Sequence, residues 1–121
     1  MTEVQLKQRT KQFTHKCVKL EMLLPNNYLE NHIKGQIIRC STSVAANYRA
    51  VCIVQSKKSF IAKLGIVIEE VDECNYWLEF IVDEELLEKK KIDPLLKESA
   101  EITSIFIASR KTARKRIENS K

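Results

Sequence analysis

Glycine and proline are nearly missing, with two of each in 121 residues. A β-sandwich or barrel turns every ~8–12 residues and draws on both to do so, so that class is excluded. A phosphate-cradling loop needs clustered glycines, and Gly35 and Gly65 stand far apart. Histidine is scarce too. His15 and His32 are the only two, and neither has a glutamate three positions before it. The Glu-x-x-His pairs of a di-iron bundle are therefore absent, and so are H-E-x-x-H and G-x-S-x-G motifs. No apolar run nears the ~20 residues that cross a bilayer. The opening Met1-Thr2-Glu3-Val4-Gln5-Leu6-Lys7 has no hydrophobic stretch of the signal-peptide kind. The expectation is a cytoplasmic protein, outside the membrane, that is no enzyme and uses no metal or cofactor. Cys17, Cys40, Cys52 and Cys74 are spaced too widely for a C-x-x-C site. They read as small, buried, reduced thiols, and the two histidines read as surface residues.

What the chain has is helical periodicity. Leu24-Pro25-Asn26-Asn27 reads as a turn. Gln55-Ser56-Lys57-Lys58-Ser59 is polar and offers hydroxyl caps. Lys91-Ile92-Asp93-Pro94 offers Asp as a cap and Pro at the first helical position. Four segments remain, at about 3–23, 28–54, 57–88 and 94–117. Thr2 and Gln5 are spaced for a capping box on the first. Its seam is Leu6, Thr10, Phe13, Cys17, Leu20 and Leu24. The second carries Ile33, Ile37, Ser41, Val44, Tyr48 and Val51, widened by Ile38, Ala45 and Cys52. The third carries Phe60, Leu64, Val67, Val71, Cys74, Leu78 and Ile81. The fourth carries Leu95, Ser99, Ile102, Phe106, Ser109 and Ala113. Alternation by three and four is the packing rule of helical bundles. Short connections force neighbours to run antiparallel. The fold class is all-α: one antiparallel up-and-down four-helix bundle spanning the chain.

Charge is distributed unevenly. The basic tail at 110–121 holds six basic residues against one acidic residue, and so accounts for the whole net charge of +5. Up-and-down topology brings this tail beside the starts of segments one and three and the end of segment two. Lys7, Arg9, Lys11, Arg49, Lys57, Lys58, Lys63, Arg110, Lys111, Arg114, Lys115 and Arg116 then share one end. Glu69, Glu70, Asp72, Glu73, Glu79, Asp83, Glu84, Glu85 and Glu88 point to an acidic opposite half, a bipolar rod. A basic end is the footprint of nucleic-acid contact. Cations near a helix C-terminus also simply complement the dipole. For nucleic acid the candidates are Lys57, Lys58, Arg110, Lys111, Arg114, Lys115 and Arg116. The acidic half is the candidate contact of an adaptor protein with a basic partner.

The run Ser41-Thr42-Ser43-Val44-Ala45-Ala46-Asn47-Tyr48-Arg49-Ala50 is small and polar for mid-helix. Buried Ser43 and Asn47 need hydrogen-bond partners, and Arg49, Glu73 and Tyr76 are candidates. Either these close a network inside the bundle, or they form a subunit interface or ligand groove. Trp77 and Phe80 cannot both share the seam with Leu78, so an aromatic falls on a second face. With Tyr76, that girth favours self-association.

The Ser41–Ala50 run, then Ser56, Phe60 and Leu64, then Glu70-Val71-Asp72-Glu73-Cys74-Asn75-Tyr76-Trp77-Leu78-Glu79 resemble the 23S rRNA intervening-sequence proteins. The resemblance covers about Phe13 to Ile107. It implies a small bundle that assembles as a homopentameric ring, with RNA or DNA as possible ligand. It extends to the accessory proteins of diversity-generating retroelements, which implies a reverse transcriptase as possible partner. One common form of the family's second helix has Glu-Gly after the Asn. Here Tyr48-Arg49-Ala50 continues the helix, so any role of that Glu does not transfer.

Overall fold

Four amphipathic stretches become four helices: α1 (Glu3–Glu21), α2 (Tyr28–Val51), α3 (Lys57–Asp83) and α4 (Lys89–Asn119). The structure is a computed structural model and describes residues 1–120. Lys121, the last residue of the expected basic tail, lies outside the described residues. Three helices start on side-chain caps that satisfy otherwise orphaned backbone N–H groups. The Thr2 hydroxyl accepts from the Gln5 N–H at 3.1 Å while the Gln5 side chain accepts from the Thr2 N–H at 2.9 Å. Asn27 Oδ1 accepts from Glu30 at 3.0 Å, and Ser56 Oγ accepts from Ser59 at 3.1 Å.

Cross-helix pairs fix the directions. Thr14 Oγ1 donates to the Ser41 carbonyl at 2.6 Å, and further along Lys7 and Lys11 line one groove with Arg49 and Ala45. Asn75 meets Ser99 at 2.7 Å, while Gly65 lies by Arg110. Arg9 meets Glu98, and Leu20 lies by Leu95. In every pair one number rises as the other falls, so each neighbour is antiparallel. The contacts follow the order α1–α2–α3–α4 and close α4 back on α1, with the closing side the thinnest.

The core is the expected seam. Leu6, Thr10, Phe13, Cys17, Leu20 and Leu24 are buried from α1, and all six expected positions of α2 are buried. α3 buries its seam from Leu64 to Ile81, while Phe60 stays half-buried. Ser109 and Ala113 are likewise only half-buried, because the bundle thins there, and Ile38 faces water rather than widening the stripe. Cys17, Cys40 and Cys74 are buried and Cys52 is half-buried, all as free thiols. Burial pushes the Cys17 thiol up to about 12. Cys74 is raised by its contact with Cys40, Sγ to Sγ 3.0 Å, and by burial. His15 and His32 are exposed. No described helix is long and apolar enough to cross a membrane.

Five boundaries differ from the sequence reading, the ends of α1 and α4 by two residues each and the other three by more. α2 stops at Val51 rather than 54, ending in a tight turn in which Ile53 N–H bonds to the Ala50 carbonyl. α3 stops at Asp83 rather than 88. The Glu85 N–H bonds to the Val82 carbonyl and the Leu86 N–H to the Ile81 carbonyl, both at 3.0 Å. This is a Schellman turn, with Glu85 at φ 53° in the position that favours glycine. It lets Leu86 and Leu87 turn back onto the core. α4 starts at Lys89, not at Pro94, which lies inside the helix. The reason is Ile92, fully buried and holding the first turn in helical register. Pro94 removes only the bond to the Lys90 carbonyl, on an exposed residue that water can satisfy.

Candidate nucleic-acid interface

α4 has 31 residues and α1 has 19, about 46 Å and 28 Å at ~1.5 Å per residue. With Arg9 level with Glu98 and Glu101, the last turns of α4 run beyond the start of α1. They pack on α3 instead, where Ala113 and Arg116 line a groove with Lys57 and Phe60. All seven expected nucleic-acid residues therefore gather at one end. Arg110 lies over Gly65, its Nη1 3.7 Å from where a Cβ would stand. Arg110 and Arg114 form one row along α4, and Lys111 and Lys115 the next. Lys57 and Lys58 sit at the start of α3. Apart from half-buried Arg110 these cations are exposed, and none of the seven makes an ion pair among the described residues.

Of the two arginines expected at the basic end from α1 and α2, one is occupied elsewhere and one stays. Arg9 does not join the basic end. Its Nε and Nη2 donate to Glu98 at 2.8 and 2.6 Å, and Nη2 also reaches Glu101 at 2.6 Å. Those carboxylates raise the Arg9 guanidinium further above its usual value, and Arg9 holds the Glu98 carboxyl below the usual range. Arg49, expected at the basic end and also as a candidate partner of the polar network, takes the first place only, lining an exposed groove of about 380 Å³ with Lys7 and Lys11. It extends the basic end by a second side. Helix phase carries that signal: at about 100° per residue, Arg49 falls about 140° away from the face that holds Ser43 and Asn47, on the side of Ala45.

The expected polar network does not cross between helices. Asn47 Nδ2 donates to the Ser43 carbonyl and hydroxyl, at 2.9 and 2.7 Å, within α2. Glu73 pairs with Arg39, not Arg49, and Glu70 joins them. Ser43, Asn47, Glu73, Tyr76 and Trp77 nevertheless share the outward seam between α2 and α3. There Trp77 meets His32, Tyr76 and Phe80 with ring centroids at 5.6, 5.1 and 5.8 Å. Tyr76 is 54% exposed and Ile66 is 43% exposed, while the Trp77 Nε1–H is buried without a partner. The acidic residues run along the flank of α3 from Glu69 onward, and Lys89, Lys90 and Lys91 follow Glu88. One end is thus strongly basic and the other mixed, not acidic.

No described group of three or more His, Cys, Asp or Glu could hold a metal ion. A comparison with curated proteins finds no match. A crystal structure of a protein of unknown function from the S23 ribosomal protein family of Bacteroides thetaiotaomicron is 32% identical, with a TM-score of 0.83. The alignment covers 92% of this chain and 99% of that one. The family model for the 23S rRNA-intervening sequence protein matches residues 2–108. With that match over most of its length and four antiparallel helices that superpose on a solved member, the chain belongs to the 23S rRNA-intervening sequence protein family.

Proposed function

We propose that this is a non-catalytic, self-associating bundle that binds nucleic acid, without sequence preference, through its basic end. The observation that carries this reading is the gathering of Lys57, Lys58, Arg110, Lys111, Arg114, Lys115 and Arg116 with no ion pair among the described residues to neutralise them. Charges left open in this way attract phosphates and release counterions when they bind. Five of the seven lie beyond residue 108, where the family match ends, so the reading rests on this chain's own residues. Self-association is supported by the α2–α3 seam, where Ile66 and Tyr76 leave apolar surface open.

The test is a mobility shift on single-stranded and duplex RNA and DNA at two salt concentrations. Affinity is expected to fall steeply with salt. Replacing Lys111, Arg114 and Lys115 by Gln is expected to flatten the log–log salt slope by about 2 on a single strand. Absence of binding to any of these ligands at low salt sinks the reading.

A further inference from the structure

The basic end also carries an aromatic. Of the eight Phe, Tyr and Trp residues in the chain, Phe60 is the one that lies at this end and is not fully packed away. Tyr48 and Phe106 stack on each other inside the bundle at 5.2 Å. Tyr76, Trp77 and Phe80 sit on the α2–α3 seam, beside Glu70 and Glu73. Phe60 instead lines two open grooves at once. One, of about 300 Å³, is bounded by Val54, Gln55, Ser56 and Lys57. The other, of about 490 Å³, is bounded by Met1, Leu6 and Ile105. Ala113 and Arg116 border both. Each volume is in the range of small-ligand sites, ~300–1,000 Å³.

We infer that Phe60 is a stacking platform for an unpaired base, so that the basic end takes single-stranded nucleic acid in preference to duplex. This rests on the proposed nucleic-acid binding and names its ligand class. The chemistry matches on three counts. An apolar floor of Phe60, Ala113 and Val54 suits the face of a base. Lys57 and Arg116, on either side of it, suit the flanking phosphates. Gln55 and Ser56 at the rim offer hydrogen-bonding groups to a base edge. Aromatic platforms set in a cationic groove are how single strands are held without sequence reading. A duplex keeps its bases stacked internally and offers nothing to Phe60. The outward geometry has a plain cause in the chain. Phe60 falls on the seam of α3, but it lies level with the start of α1, which does not extend far enough to cover it.

The test uses the full chain and a fluorescently labelled single-stranded RNA 12-mer, with the matching 12-base-pair duplex at equal phosphate concentration. The wild type is expected to bind the single strand more tightly. Phe60→Leu keeps an apolar side chain of similar reach. It is expected to weaken single-strand binding about tenfold, the equivalent of about 1.4 kcal/mol. It is expected to leave the salt slope and the duplex affinity unchanged, and Phe60→Trp to retain single-strand affinity. A merely structural role for Phe60 would lower both affinities together, and that result overturns the inference. Equal affinity for both forms, with Phe60→Leu changing neither, overturns it while leaving the basic end as a phosphate site. No binding of either form at low salt overturns both.

Discussion

Glu85 holds the corner between α3 and α4 at φ 53°, a conformation that costs a side-chain-bearing residue about 1 kcal/mol relative to glycine. The turn's two 3.0 Å hydrogen bonds and the packing of Leu86 hold it there. Glu85→Gly is therefore expected to stabilise the protein by about 1 kcal/mol, partly by removing a carboxylate from the negative end of α3. A thermal melt would show a midpoint about 4 °C higher. An unchanged or lower midpoint would mean that the Glu85 side chain contributes a contact that offsets its strain. Residue-level strain of this kind was not legible in the sequence. A glutamate at a Schellman corner looks the same as one in the helix until the carbonyls it caps are located.

At the scale of elements the seam positions were legible and the ends were not. Alternation by three and four marked the buried positions of α1 and of α2 from Ile33 on, Glu21 and Cys40 excepted, because burial there depends mainly on phase. The ends depend on what a neighbouring helix covers. Phe60, Ser109 and Ala113 keep the phase but lie at the start of α1, which covers them only in part. Pro94 looked like a start, but the burial of Ile92 outweighed one missing hydrogen bond. The candidate site was legible as a charge cluster but not as a pairing pattern. Arg9 and Arg49 are both arginines near the same end, and only the register of α1 against α4 shows that Arg9 is occupied. That pair closes the thinnest side of the bundle across 89 positions of chain. Its contribution has a definite pH sense. The Glu98 carboxyl is held below its usual range by Arg9, so the stabilisation is present at neutral pH and is lost as pH falls through the folded value. Glu98→Gln is expected to cost about 1 kcal/mol at pH 7. Melts of the two proteins should converge once the pH lies below the folded value of Glu98. A gap that persists in acid would assign the effect to packing.

For the whole molecule, two surfaces remain after the core is formed: the basic end and the α2–α3 seam. They do not overlap, so assembly through the seam would leave every basic end open and multiply the phosphate contacts available to one strand. Sedimentation is expected to return a multiple of the 14.1 kDa chain mass. Tyr76→Lys, on an exposed side chain, is expected to reduce it to the monomer without lowering helix content. A wild-type monomer at micromolar concentration would remove the seam as an interface. The buried cysteines have a different consequence. Cys17, Cys40 and Cys74 come from three helices and meet near the middle of the bundle. Each is shielded from solvent, so a thiol reagent must wait until the helices part. The protein thus carries its own clock for spontaneous opening. With half-buried Cys52 set aside, the rate at which these three thiols consume such a reagent measures how often the bundle comes apart.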